Sequence, residues 1–154
     1  MAYADLPLIS PEIKGLIQNP DYCLILDVGG DDAGAVVLGN FRYFIKDLDY
    51  EMLLVVNPYR PFTQSVPQIK QMAQEIENIS RLKINGIVSN PNLSSQTDEE
   101  IIKKGHILIK QAAQKLEVPV KFICLDERFS QKIRQENFEE PIFYITRFMH
   151  LPWN

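Results

Sequence analysis

The apolar residues of this chain fall into short continuous runs that are separated by longer stretches of mixed character. Runs of four to eight residues rich in Val, Ile and Leu are typical of strands that are buried on both faces of a sheet. A weaker candidate of the same kind is Ile142–Phe148, which Thr and Arg interrupt. The four clear runs are Tyr22–Val28 (YCLILDV), Met52–Asn57 (MLLVVN), Leu82–Ser89 (LKINGIVS) and Val120–Leu125 (VKFICL).

Two of the stretches between these runs have the three- and four-residue apolar spacing of an amphipathic helix. They are Thr63–Arg81 and Thr97–Leu116, and Thr97 with Glu100 has the pattern of a capping box. Pro7–Gln18 is predicted as a further short helix. Strands that alternate with helices indicate right-handed βαβ crossovers, so we expect an α/β fold with a mainly parallel sheet and flanking helices.

Length and composition indicate one acidic globular domain over residues 1–154. The chain has a mass of 17.8 kDa, a net charge of −4 and a pI of about 5.2, which argues against nucleic-acid binding through a basic patch. No apolar run approaches the roughly 18 residues of a membrane helix, and we expect a cytoplasmic protein. Cys23 and Cys124 lie in apolar runs and are predicted to be buried, reduced thiols.

Polar or turn-forming residues follow each of the four clear runs. In an open parallel sheet, ligands bind beyond the carboxyl ends of the strands. The sequence therefore predicts a single rim rich in Asp and Asn. The residues that leave the runs are Asp27–Asp32, Asn57–Tyr59, Asn90–Asn92 and Asp126–Arg128.

The segment CLILDVGGDDAGA carries the sharpest chemical signal. A carboxylate at the end of an apolar strand, here Asp27, can hold Mg²⁺ directly or through water. Gly29 and Gly30 would let backbone N–H groups approach a terminal phosphate. An ordinary strand-to-helix turn, with Asp31 or Asp32 capping the next helix, explains the same residues equally well.

Other chemical patterns are weak. Gly34 and Gly39 have half the spacing of a phosphate-binding loop, but neither a Lys nor a preceding strand accompanies them. His106 and His150 have no metal-like partner four residues away, so each is predicted to be a satisfied or solvent-exposed histidine. Chain order alone identifies no Ser–His–Asp arrangement. Three lysines of the second long helix fit a solvated face: Lys103, Lys104 and Lys110.

The order of these short motifs resembles the C-terminal portion of the MinD/ParA/CobQ-type, deviant-Walker P-loop ATPases, from about Tyr22 to Pro141. YCLILDVGGDDAGA stands where this family has its Walker B strand and the switch turn that follows. The resemblance implies that Asp27 acts through the water shell of Mg²⁺ and that Gly29 and Gly30 lie beside the γ-phosphate of ATP. It also implies a partial P-loop NTPase fold of the Rossmann-like, three-layer type.

Three further segments resemble later strands of the family. MLLVVNPYRP resembles a strand with a Thr-Pro exit, in which Asn57 and Pro58 replace Thr-Pro. LKINGIVSNPNL resembles the strand whose final Asn reads adenine, a role that falls to Asn90. VPVKFICLDERF resembles the last nucleotide-binding strand and implies that Asp126 lies near the adenine or the ribose.

These residues do not include the family's first strand or its glycine- and lysine-rich Walker A loop. We therefore do not expect this chain alone to hydrolyse ATP. We expect an active ATPase only where a Walker A segment completes the site. Loss of a central strand would leave apolar sheet edges, so we expect a homo-oligomer or a protein partner that covers them. Two alternatives remain open: a nucleotide-free remnant that acts as a protein-interaction module, and a flavodoxin-like or other small α/β ligand binder.

Overall fold

A computed structural model describes residues 11–146 and Phe148 of this chain. Its contacts divide the chain into two compact units. The first unit consists of the residues up to Met52 together with Gln74–Lys83, and the second consists of Leu53–Ala73 together with the residues from Ile84 onward.

The first unit is built on two helices, α1 (Pro11–Gln18) and α2 (Asp32–Ile45). The Asp31 carboxylate caps α2 by accepting a hydrogen bond of 2.8 Å from the Gly34 N–H. Of the two residues that the alternative interpretation offered as caps, Asp31 and Asp32, Asp31 is thereby confirmed. Five buried apolar side chains of this unit form one cluster: Ile17, Leu38, Phe41, Ile45 and Leu82.

The strand predicted over Tyr22–Val28 is wrong. This segment has no regular secondary structure, and its side chains are exposed apart from the half-buried Val28, with Ile25 88% accessible. Cys23 is exposed as well, which contradicts its predicted burial. A strand needs a neighbour for its backbone hydrogen bonds, and none of the described strands pairs with this segment. The apolar composition of this segment therefore predicted a strand, but the described chain contains no neighbouring strand to pair with it.

The second unit contains a four-stranded, all-parallel sheet. The spatial order β1-β2-β3-β4 follows the order in the chain, and the α/β class with a parallel sheet is confirmed. The predicted second, third, fourth and fifth runs all supply strands, but three of these strands, β1, β2 and β4, are shorter than expected. The strands are β1 (Leu53–Val56), β2 (Gly86–Ser89), β3 (Val120–Asp126) and β4 (Ile142–Ile145).

Helices α3 (Val66–Ser80) and α4 (Glu99–Leu116) lie within the two stretches whose apolar spacing predicted them. The division between the two units falls inside α3, after Ala73. The predicted capping box at Thr97 is wrong by one residue, because the Asp98 carboxylate caps α4 by accepting from the Ile101 N–H at 2.8 Å. Thr97 serves the preceding loop, where its hydroxyl donates to the Ser94 carbonyl at 2.9 Å.

One face of the sheet is the core of the second unit, and α4 packs against β2 and β3. Strand residues two apart share a face, and the register aligns Leu54 with Ile87 and Ser89 with Ile123. These four side chains are buried, together with Ile102 and Ile109 of α4. The opposite face includes Val55, which is 60% accessible, and Phe143, which is 58% accessible. No helix of the described residues is long and apolar enough to cross a membrane.

Candidate functional site

The carboxyl ends of β1, β2 and β3 form one rim of the second unit. Val56 and Ser89, the last residues of β1 and β2, are paired across the sheet, so Asn57 and Asn90 leave it side by side. Asp126 ends β3, the next strand along. The parallel topology thus brings three of the predicted site residues to one edge of the sheet, and Pro58 follows in the first of the three loops.

The carboxamide of Asn57 is used to join two of these loops. Its Nδ2 donates to the Asn92 carbonyl at 2.7 Å, and its Oδ1 accepts from the backbone N–H groups of Tyr59 at 3.1 Å and Asn92 at 3.4 Å. The side chain therefore fixes the loop after β1 against the loop after β2. Its donors and acceptor are directed at the protein itself, which is a structural role.

Asn90 has the opposite character. Its backbone N–H donates to the Val56 carbonyl at 2.9 Å, which fixes the main chain at the end of β2. The side chain is half-buried, and its carboxamide makes no hydrogen bond to any residue that the structure describes. A free carboxamide offers both N–H donors and an oxygen acceptor, which is the combination that a purine edge requires. Among Asn57, Asn90 and Asp126, Asn90 is the one whose side chain makes no hydrogen bond to a described residue.

Asp126 is half-buried, and its Oδ1 accepts from the Arg128 backbone N–H at 3.0 Å. The Arg128 guanidinium donates to the backbone carbonyls of Ser94 at 2.7 Å and Thr97 at 3.3 Å. It therefore joins the loop after β3 to the loop after β2. Sequence reasoning placed Arg128 only among the exit residues and missed this bridging role, which no local pattern indicates.

A cavity of about 340 Å³ lies between the loop after β1 and helix α4. Pro58 and Tyr59 line it from the loop, and burial raises the pKa of the Tyr59 phenol. Gly105 lets the loop approach α4 closely, because a Cβ there would lie 2.7 Å from the Pro91 Cβ and 2.9 Å from the Pro58 Cγ. Pro58 is the one predicted site residue in its lining, which is completed by Gln64, Lys104 and Leu108.

Asp27, Gly29 and Gly30 belong to the first unit, whereas the rim residues belong to the second. All three are exposed, and Asp27 lies in the irregular segment that replaces the predicted strand. The turn after it is tight, since a Cβ on Gly34 would lie 2.0 Å from the Gly29 carbonyl oxygen. Gly34, in the first turn of α2, therefore allows the Gly29 carbonyl to pack closely against the start of the helix.

Among the described residues, no group of three or more His, Cys, Asp or Glu side chains is arranged to hold a metal ion. Mg²⁺ in nucleotide sites commonly uses one or two carboxylates, with waters and phosphate oxygens as its other ligands. A single exposed carboxylate such as Asp27 fits that mode of binding, and the Asp27 side chain would then supply one oxygen ligand.

A buried polar chain that sequence reasoning missed connects Ser89, His106 and Glu140. The His106 Nδ1 lies 3.1 Å from the Ser89 Oγ, and its Nε2 lies 3.0 Å from the Glu140 Oε2. Ser89 is 0% accessible and His106 is 4% accessible, so a substrate has no access to the hydroxyl. His106 was predicted to be either satisfied or solvent-exposed, and the structure shows it to be satisfied and buried; this Ser–His–Glu set is structural.

The electrostatic surroundings of His106 and Glu140 favour a neutral imidazole beside an ionised carboxylate. Burial lowers the pKa of His106, although the Glu140 carboxylate opposes that shift. Burial also acts to raise the pKa of Glu140, but a backbone hydrogen bond, Lys110 and His106 outweigh it and hold that pKa below its usual value. Lys110 lies 3.2 Å from the Glu140 Oε1 and also pairs with Glu139, so it is not purely solvated as predicted.

Comparison of the chain with known protein families, with curated proteins and with solved structures finds no match. The geometry of the rim and the order of the sequence motifs are therefore the basis for a functional proposal.

Proposed function

We propose that this chain contributes to an ATP site of the MinD/ParA type, for which it supplies the Walker B carboxylate and the adenine-side residues. The single observation that carries the proposal is the free carboxamide of Asn90 at the end of a central parallel strand. Ligands of open parallel sheets bind at this edge. The proposal assigns the chain binding of Mg²⁺ and ATP, with hydrolysis dependent on a Walker A segment that these residues lack.

The adenine side falls to the second unit. Asn90 would hydrogen-bond the purine edge, and Asp126, at the end of the neighbouring strand, would contact the base or the ribose. Asn57 and Pro58 support this arrangement through their loop rather than by contacting the base, since the Asn57 carboxamide is already bonded to Asn92 and Tyr59.

The phosphate side falls to Asp27, Gly29 and Gly30. The Asp27 carboxylate would hold Mg²⁺ directly or through a water molecule, and phosphate oxygens of ATP would be further ligands of the metal. The two glycines carry no side chain that would keep a phosphate from the backbone N–H groups.

The test is equilibrium binding of Mg-ATP and of adenosine, measured by calorimetry on the 154-residue chain. We expect Asn90→Ala to weaken both ligands by about 2- to 12-fold, the value of one neutral hydrogen bond. Asp27→Ala should weaken Mg-ATP but leave adenosine binding unchanged. The matched control is Asn78→Ala, an exposed Asn on α3, which should change neither. Absence of saturable binding, or equal effects of Asn90→Ala and Asn78→Ala, would contradict the proposal.

A second candidate, a protein-interaction module without nucleotide, is favoured by one observation. The segment that begins at Tyr22 exposes several large apolar side chains in succession, including Leu24, Ile25 and Leu26. Such a group commonly marks a surface that another chain covers. We expect a homo-oligomer or a complex in that case, and Ile25→Ser should shift the sedimentation of the wild-type species toward the monomer while Asp27→Ala does not.

A further inference from the structure

Three parts of the second unit meet at the imidazole of His106. Ser89 is the last residue of β2, His106 lies in α4, and Glu140 belongs to the segment that leads into β4. The ring of Phe138, from that same segment, stands edge-on to the imidazole, with ring centroids 5.1 Å apart and planes at 89°. The side chains of Ser89, His106, Lys110 and Glu140 are called the latch below.

The hydrogen bonds of the latch are all satisfied when His106 is neutral. The Glu140 carboxylate can only accept, so the proton of the imidazole lies on Nε2 and is donated to Glu140 at 3.0 Å. Nδ1 then carries a lone pair and accepts from the hydroxyl of Ser89 at 3.1 Å. A second proton on Nδ1 would force that hydroxyl, which is fully buried, to turn its hydrogen away.

The charged groups around His106 do not cancel the cost of burying its cation. Desolvation is the largest influence and lowers the pKa of His106. Glu140 and Glu139 act in the other direction, and Lys110 adds to the lowering. Of the elements in the latch, β2 presents only the uncharged hydroxyl of Ser89 to the ring.

Residues 138–145 carry the Glu140 side of the latch and include the edge strand β4. Among the described strands, β4 lies at the edge of the sheet and pairs with β3 alone. Phe143 and Glu139 are exposed, whereas α4 and β2 carry fully buried residues such as Ile109 and Ile87. Phe138, Ile142 and Tyr144 pack against a buried apolar cluster but are themselves only partly buried. Local opening begins where fewer buried apolar contacts are lost, which favours this segment over α4 and β2.

We propose that the latch is a proton-sensitive device, in which His106 holds residues 138–145 against α4 and β2 and mild acidification releases them. The direction of this pH effect follows from the linkage between proton binding and opening. In the opened form the imidazole is hydrated and titrates near its ordinary pKa of about 6.5. Below that pH the opened form takes up a proton that the closed form does not. The opening constant therefore rises by up to about tenfold per pH unit, until the pH reaches the lower pKa of the closed form.

Hydrogen exchange measured by mass spectrometry on the full chain tests this proposal between pH 7.5 and pH 5. After correction for intrinsic exchange, peptides that cover residues 138–145 should lose protection by up to about tenfold per unit below pH 6.5. Peptides of β1, at the other edge of the sheet, should not change in parallel. In His106→Gln the protection of 138–145 should no longer depend on pH, whereas His150→Gln, the change of the other histidine, should leave the dependence intact.

A measurement on the unaltered chain covers the case in which His106→Gln does not fold. Nitrogen-edited NMR of the imidazoles should show His106 as the neutral Nε2–H form well below pH 6.5. A His106 that titrates with an ordinary pKa overturns the proposal. So does protection of 138–145 that is independent of pH in the wild type, or pH dependence that persists in His106→Gln.

Discussion

Replacement of Asn57 and Asn90 by Ala distinguishes a structural side chain from one that is free to bind. Asn57→Ala removes three hydrogen bonds, at 2.7, 3.1 and 3.4 Å, which join the loops after β1 and β2. Bonds of this kind contribute about 0.5–1.5 kcal/mol each. The longest is the weakest, and the site is only partly buried, so the expected loss in the free energy of unfolding is about 2 kcal/mol. Asn90→Ala removes no hydrogen bond to a described residue, and we expect a loss of about 0.5 kcal/mol or less.

Urea denaturation followed by circular dichroism measures both changes. With a slope of about 2 kcal/mol per molar urea, Asn57→Ala should lower the midpoint by about 1 M and Asn90→Ala by a quarter of that or less. The slope itself should not change in either variant. If the two substitutions had equal effects, or Asn90→Ala had the larger one, the division of the rim into a structural and a free carboxamide would be refuted.

Three further predictions concern packing, capping and thiol reactivity. Gly105→Ala should cost about 1–3 kcal/mol, because the new Cβ would lie within 3.0 Å of three side-chain atoms; its control, Gly15→Ala, meets nothing within 4 Å and should stabilise α1 by about 0.5–1 kcal/mol. Thermal unfolding that ranks the two variants the other way would contradict this. Asp98→Ala should cost about 1 kcal/mol through the lost cap of α4, and an unchanged melting temperature would argue against the cap. Alkylation at pH 8 should label the exposed Cys23 well before Cys124, since burial raises the pKa of the Cys124 thiol; equal rates in peptide mass spectrometry would disprove it.

The spacing of apolar residues correctly predicted those strands and helices that pack against another described element of the chain. The runs that contain β1 and β3 are apolar over nearly their whole length, and both strands pair with β2. The spacing of apolar residues likewise predicted α3 and α4 to within three residues at each end. In these cases the burial that the pattern implies is supplied by a neighbouring element of the same unit.

The run Tyr22–Val28 shows what such a pattern cannot supply. Its composition is as apolar as that of β3, yet no described strand offers it backbone hydrogen bonds. Strand formation depends on a partner, and composition reports only the tendency to be buried. Capping of α2 by one of the two Asp residues after this run was predictable, because the bond from the Gly34 N–H to the Asp31 carboxylate is a local interaction.

The latch lay beyond prediction for a different reason. Ser89, His106 and Glu140 are separated by 17 and 34 residues, so only the folded topology brings them together. Sequence reasoning left His106 as satisfied or solvent-exposed and had no means to name its partners. The same holds for Arg128, whose guanidinium contacts carbonyl groups 34 and 31 positions away.

The most direct test of the proposed nucleotide site is chemical-shift mapping of the isotope-labelled chain during titration with Mg-ATP. We expect saturable shifts at Asn90, including its side-chain NH₂, at Asp126 and in the loop that follows Asp126. A smaller change is expected at the Asn57 side chain, which is held by Asn92. Shifts confined to other surfaces, or no shifts at all at saturating nucleotide, would contradict the assignment of this rim to ATP.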